Sequence, residues 1–182
     1  KIKKEEEKQM GFTIEDALIQ TQKQYRLKLL AGKEGCGNAM SWVHMIEDTK
    51  IIQQLWGKEL AVTTGLGFQS HDALFDFIKC LVKYHSVGLI INTGKYIFEV
   101  SQDIIDYCNE QEFPLLTTPW EVHMADLIKD FSMRCLFSER EDQQISKLFQ
   151  EVFTTVQTVE EVRPQLMSSF DVDGYFQVVL IE

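Results

Sequence analysis

Within residues 41–67 the chain gathers Trp42, His44, Glu47, Glu59, Thr63, Thr64 and Gly65, residue types suited to holding a small molecule. An indole offers a face to a planar ring. An imidazole and carboxylates exchange hydrogen bonds with N–H and carbonyl groups, and threonine hydroxyls both donate and accept. Gly65 and Gly67 are small enough to let a backbone approach a ligand closely. Trp56 offers a second stacking face, although an indole at such a position also serves as core.

The same residues do not make a catalyst. Glu47, Asp48 and Glu59 are paired acids without a nucleophile and base beside them, without a metal triad and without a cofactor fingerprint. No catalytic residue and no cofactor is therefore assigned. His44, His71, His85 and His123 stand in neither an HExxH nor an HxH pattern, and none has a cysteine at ligand spacing, so no metal is expected. The run Thr63-Thr64-Gly65-Leu66-Gly67 is not a Walker loop, because no Gly-Lys-Ser/Thr follows, and it lacks the third glycine of a dinucleotide fingerprint. It is either a simple glycine turn or a place where backbone amides hold an anion or a carbonyl-rich ligand. Glu59, between Gly57 and the apolar Leu60, is suited to accept from ligand N–H groups, and His44 is either a structural or a ligand-bonding histidine.

These residues need a frame. Thr13 can cap a helix starting at Ile14, with Glu15 and Asp16 in its first turn where the helix dipole favours acids. Strands are expected over residues 26–30, 40–46, 60–63, 87–91 and 114–117, with a brief helical turn around Ile51, Ile52 and Leu55. Ala73, Leu74, Phe77, Ile78, Leu81 and Val82 mark one face of a helix over 72–84, and Ile104, Ile105 and Cys108 one over 101–111. Strands alternating with helices predict an α/β fold, with a mostly parallel or mixed sheet flanked by helices.

Long helix follows. Met124, Leu127, Ile128, Phe131 and Cys135 form one apolar stripe; beyond a charged break at Glu139-Arg140-Glu141-Asp142, Ile145, Leu148, Phe149, Val152, Phe153 and Val156 form another. Such a stripe either packs on its own sheet or forms a homodimer seam and signalling helix.

Trp42-Val43-His44, Glu47, Gly57, Glu59-Leu60 and Thr63-Thr64-Gly65 together resemble the amino-terminal PurC-like sensory domain of the PucR family of bacterial transcription regulators. Phe12-Thr13-Ile14-Glu15-Asp16-Ala17-Leu18 is similar to the family's opening helix, Leu30-Ala31-Gly32 to its first strand and turn. Gly94-Lys95-Tyr96-Ile97 and Phe113-Pro114-Leu115-Leu116 with Pro119 also fit, so the likeness covers residues 12–137. Ile90-Ile91-Asn92-Thr93 departs from the family's glycine-containing strand end. The resemblance implies a sensory domain over residues 10–138 that binds a purine-related or similar catabolite. It further implies a helical linker and dimerisation segment over 139–169. The apolar run from Tyr175 to Ile181, within 170–182, would be the first strand of a GGDEF-like middle domain. DNA would be bound only through a separate helix-turn-helix domain. The alternative is a dimerisation or interaction scaffold that senses no metabolite.

Charge and composition agree. The 182 residues carry a net charge of −10, which disfavours a phosphate backbone, so this segment is not expected to bind nucleic acid by itself. At 45% hydrophobic with twelve Phe and three Trp, the chain can bury a full core. No stretch reaches the roughly 20 apolar residues of a membrane span, so a soluble, cytoplasmic protein is expected. Cys36, Cys80, Cys108 and Cys135 are too widely spaced for a CxxC pair and read as reduced thiols. Residues 1–9, of mixed charge, read as a solvated lead-in or an expression remnant.

Overall fold

The computed structural model describes residues 11–154 together with 163, 164 and 167, and the side chains of 145 and 148–154 are not among those described. By internal contacts the chain divides into two compact units, one ending at Ser138 and the other beginning at Glu139. The first is an α/β unit built on a five-stranded mixed sheet. Its strands are β1 (Lys28–Ala31), β2 (Trp42–Met45), β3 (Glu59–Thr63), β4 (Gly88–Thr93) and β5 (Leu115–Pro119), in the order β1-β5-β4-β3-β2. Strands β2 to β5 are mutually parallel, and β1 runs antiparallel to β5.

Consecutive parallel strands need crossovers, and the apolar periodicity supplies them. A short 3-10 helix (Thr49–Gln54) joins β2 to β3, α2 (His71–Lys83) joins β3 to β4, and α3 (Gln102–Glu110) joins β4 to β5. The central strands are apolar on both faces because both are covered. Leu60, Val62, Ile90 and Leu116 pack with residues of α1 (Ile14–Tyr25) and α4 (Met124–Thr154), among them Ala17, Leu127 and Phe131. Ala61, Leu89, Ile91 and Leu115 pack on the opposite face with Phe77, Ile78 and Leu81 of α2 and Ile104 and Cys108 of α3. Phe68 stacks on Phe77 with ring centroids 3.9 Å apart, seating the turn after β3 on α2.

Several element bounds differ from the sequence reading, and two differences have a local cause. The first strand starts at Lys28 rather than residue 26, because Arg26 is the left-handed cap of α1 (φ 46°) and Leu27 donates back to the Gln22 carbonyl at 3.0 Å. Glu139-Arg140-Glu141-Asp142 does not break the backbone: α4 runs through it, since Glu and Arg are strong helix formers and neither Gly nor Pro intervenes. The charged tetrad interrupts the apolar stripe only.

Thr13 caps α1 as expected, in a reciprocal box with Asp16. Ile145, Leu148, Phe149, Val152 and Phe153 lie on the α4 backbone, but their side chains are outside those described, as are residues 1–9, Val156 and the run 175–181. Among the described residues no helix is long and apolar enough to cross a membrane.

Candidate functional site

The residues that sequence proximity groups together fall at two ends of the sheet. Glu59 opens β3 and Thr63 closes it, which at about 3.3 Å per residue separates them by about 13 Å. The carboxyl end holds Glu47, Thr63, Thr64 and Gly65; the amino end holds Glu59, paired in register with Trp42. His44 stands between, opposite Ala61 on β2, and is exposed at the sheet edge.

At the carboxyl end Glu47 is the organising group. One carboxylate oxygen accepts the Thr64 amide at 2.6 Å and the other accepts the Thr63 hydroxyl at 3.1 Å. The Thr63 hydroxyl oxygen in turn accepts the Gly65 amide at 3.0 Å. Thr63 is fully buried, so these bonds replace the water it has lost. Gly67 packs on the backbone of the same residue, where a Cβ would meet the Glu47 carbonyl oxygen. Gly65, at φ +83°, lies against Ile97, whose side chain occupies the space a Cβ would need. The turn is thus a polar bend whose donors face an acceptor already in place. The Thr64 amide and the Thr63 hydroxyl are both satisfied by one carboxylate.

The ends of β4 and β5 continue this rim. Buried Asn92 donates through Nδ2 to the Thr118 and Pro119 carbonyls at 3.4 and 3.0 Å. Thr118 donates to the Tyr25 carbonyl at 2.6 Å, tying β5 to the end of α1. Beyond β4, Gly94 donates to the Ile97 carbonyl at 2.8 Å and turns the chain so that Lys95 and Tyr96 meet Trp120. The carboxyl ends of parallel strands are where open α/β sheets take their ligands. Asn92, Lys95, Tyr96 and Trp120 are not found by spacing, because they come from two strand ends distant in sequence. The one local signal is the Gly94 turn.

At the amino end Glu59 is 5% exposed. Its Oε1 accepts the Trp56 amide at 2.7 Å, while Oε2 is buried without a hydrogen-bond partner. It braces the loop that carries Trp56, whose side chain is 97% exposed. Trp42, 39% exposed, and Met45 lie along the open edge of β2. Trp42, paired with Glu59, and the Trp56 loop that Glu59 braces thus lie at the amino end of β3, the opposite end of that strand from the glycine bend.

Cys36, Cys80 and Cys108 are free thiols, and Cys36, Cys108 and Cys135 are buried. Burial pushes the Cys108 thiol up to about 12, and burial with nearby Glu15 and Glu34 pushes Cys36 up to about 11. His71 is bonded on both sides, to Asp72 at 3.0 Å and to Asp103 of α3 at 2.8 Å, which raises its pKa. Among the described residues no three His, Cys, Asp or Glu side chains are placed to hold a metal ion.

Residues 17–134 match the Purine catabolism regulatory protein-like family (PucR). The Purine catabolism regulatory protein of Bacillus subtilis (strain 168) is 29% identical over 101 residues, spanning 55% of this chain and 19% of that protein. The chain thus spans about a fifth of the length of that relative.

Proposed function

The chain belongs to the purine catabolism regulatory protein-like family, and on that footing we propose that it is the effector-sensing part of a cytoplasmic transcription regulator. A purine-related catabolite or a similar small molecule is bound at the carboxyl ends of β3 to β5. Binding is passed to a separate helix-turn-helix domain, with no chemical step. The observation that carries this reading is the capture of the Thr64 amide and the Thr63 hydroxyl by Glu47. An effector oxygen competes for those two donors. Releasing Glu47 frees the segment between β2 and β3, giving the two arrangements that differential affinity requires. Of the residues grouped by sequence, Glu47, Thr63, Thr64 and Gly65 form the ligand end, while Trp42, His44 and Glu59 lie outside it.

Calorimetry of this chain with a panel of purine catabolites tests the reading. At least one should bind with a dissociation constant below about 1 mM, and Thr63→Val should weaken it about tenfold. A panel without saturable binding contradicts it.

A second reading is favoured by the filled state of the bend, where Ile97 covers Gly65 and Glu47 satisfies the donors. Here the domain is an assembly scaffold. It dimerises through the β2 edge, or through Ile145, Leu148, Phe149, Val152 and Phe153 of α4. Thr63→Val would then leave signalling intact, whereas Trp42→Ser or Phe149→Ser would lower the oligomeric mass.

A further inference from the structure

Deepening the assembly reading above, and requiring no metabolite, we propose that the outer edge of β2 takes β2 of a second copy of this chain. The two strands pair antiparallel, so that two five-stranded sheets become one. An edge strand presents a row of backbone N–H and C=O groups that a further strand can take up. Among the described residues no strand lies beyond β2, which closes the strand order.

The two edges of the sheet differ in the way that matters for pairing. At the β1 edge the register with β5 shifts between Leu29 and Ala31, and the strand opens on exposed Lys28. A broken register and a lysine are two devices that keep an edge from recruiting another chain. The β2 edge carries neither. Trp42, Val43, His44 and Met45 follow Glu59, Leu60, Ala61 and Val62 without interruption, and the strand contains no Lys, Pro or Gly. Only Val43 turns into the core; Trp42, His44 and Met45 are exposed.

The exposed surface is of the right size. Trp56 stands beside the strand because Glu59, the register partner of Trp42, accepts the Trp56 amide. Lys58, in the same loop, donates to the His85 carbonyl at 2.8 Å. An indole held by its backbone and yet bare loses little freedom when it is covered, as an interface anchor should. Trp42 is 39% exposed, Met45 46% and Trp56 97%. At about 150–250 Å² for a whole aromatic side chain, their bare parts amount to about 300–400 Å², about half of the roughly 800 Å² each partner gives to a stable interface. Strand backbone and a polar rim supply the other half.

Charge and symmetry select the occupant. In a chain of net charge −10, residues 41–46 contain no Asp, Glu, Lys or Arg, so two copies meet here without opposing like charges. A basic partner would find no acid on this strand to pair with. Antiparallel pairing of a strand with its own copy is closed by a two-fold axis, which uses the open row of each copy and ends the assembly there.

Sedimentation equilibrium of the whole chain tests the proposal. The wild type should dimerise with a dissociation constant of about 10 μM or lower. Met45→Lys, which puts a charge on an exposed position of the strand, and Trp56→Ser should each weaken the dimer at least about tenfold, with unchanged circular dichroism. Phe98→Ser, at an exposed aromatic of the loop after β4, should leave it unchanged. If Met45→Lys unfolds the chain, the nearly bare Trp56 decides. A dimer that survives Met45→Lys and Trp56→Ser, or is weakened equally by Phe98→Ser, overturns the edge site. Loss of that dimer in Phe149→Ser would then leave the assembly reading standing through α4. A chain still monomeric at about 100 μM overturns both.

Discussion

The Glu47 carboxylate grips the end of the neighbouring strand, accepting the Thr64 amide at 2.6 Å. A charge-assisted bond to a partly buried amide is among the stronger contacts a side chain makes with backbone. Glu47→Ala leaves the Thr64 amide and the Thr63 hydroxyl without their acceptor. Urea unfolding should show a loss of about 1–3 kcal/mol, and a change within about 0.5 kcal/mol would mean that water replaces the carboxylate.

Gly65 and Ile97 share one space. Gly65→Ala places a Cβ against the isoleucine at a left-handed backbone position, and should cost about 2–4 kcal/mol in chemical denaturation. In combination with Ile97→Ala the two costs should sum to more than the double variant shows, since the smaller side chain admits the new methyl. Strict additivity would separate the residues.

His71 bridges the starts of α2 and α3. Its bonds to Asp72 and then to Asp103 raise its pKa above the ordinary histidine value. A raised folded value means that the stabilisation is complete below the unfolded pKa of about 6.5 and is lost as pH rises through the folded one. Thermal melts of wild type and His71→Gln should therefore differ most near pH 6 and converge above about pH 8. A gap independent of pH would assign the bridge to uncharged hydrogen bonding.

Burial holds Cys108 and Cys36 as thiols, at about 12 and about 11, when the thiolate is the reactive form. Alkylation of the native chain at pH 8 should modify the half-buried Cys80 first, and Cys36 and Cys108 only on unfolding. Rapid modification of Cys108 in native buffer would show that α3 opens locally.

The α/β class, the Thr13 cap and most elements were legible because apolar spacing and capping residues are local signals. The continuity of α4 was not, because an interrupted stripe reads like an interrupted helix even where Glu139 and Arg140 favour helix. At the site, Glu47 and Thr63-Thr64-Gly65 were legible as neighbours of one strand crossover. Glu59, grouped with them by sequence, stands at the opposite end of β3, four residues of extended chain away. Lys95 and Trp120 meet only because β4 and β5 pair in parallel, with Thr93 opposite Pro119, a relation no local window contains.

Sensing as proposed requires an effector that competes with Glu47 for the bend after β3. Amide NMR of the isotope-labelled chain, titrated with the purine catabolite panel, addresses it at the atoms concerned. Saturable shifts centred on the Thr64 and Gly65 amides are expected for at least one compound. Shifts confined to the Trp42 and Trp56 edge, or none at saturating concentration across the panel, would contradict it.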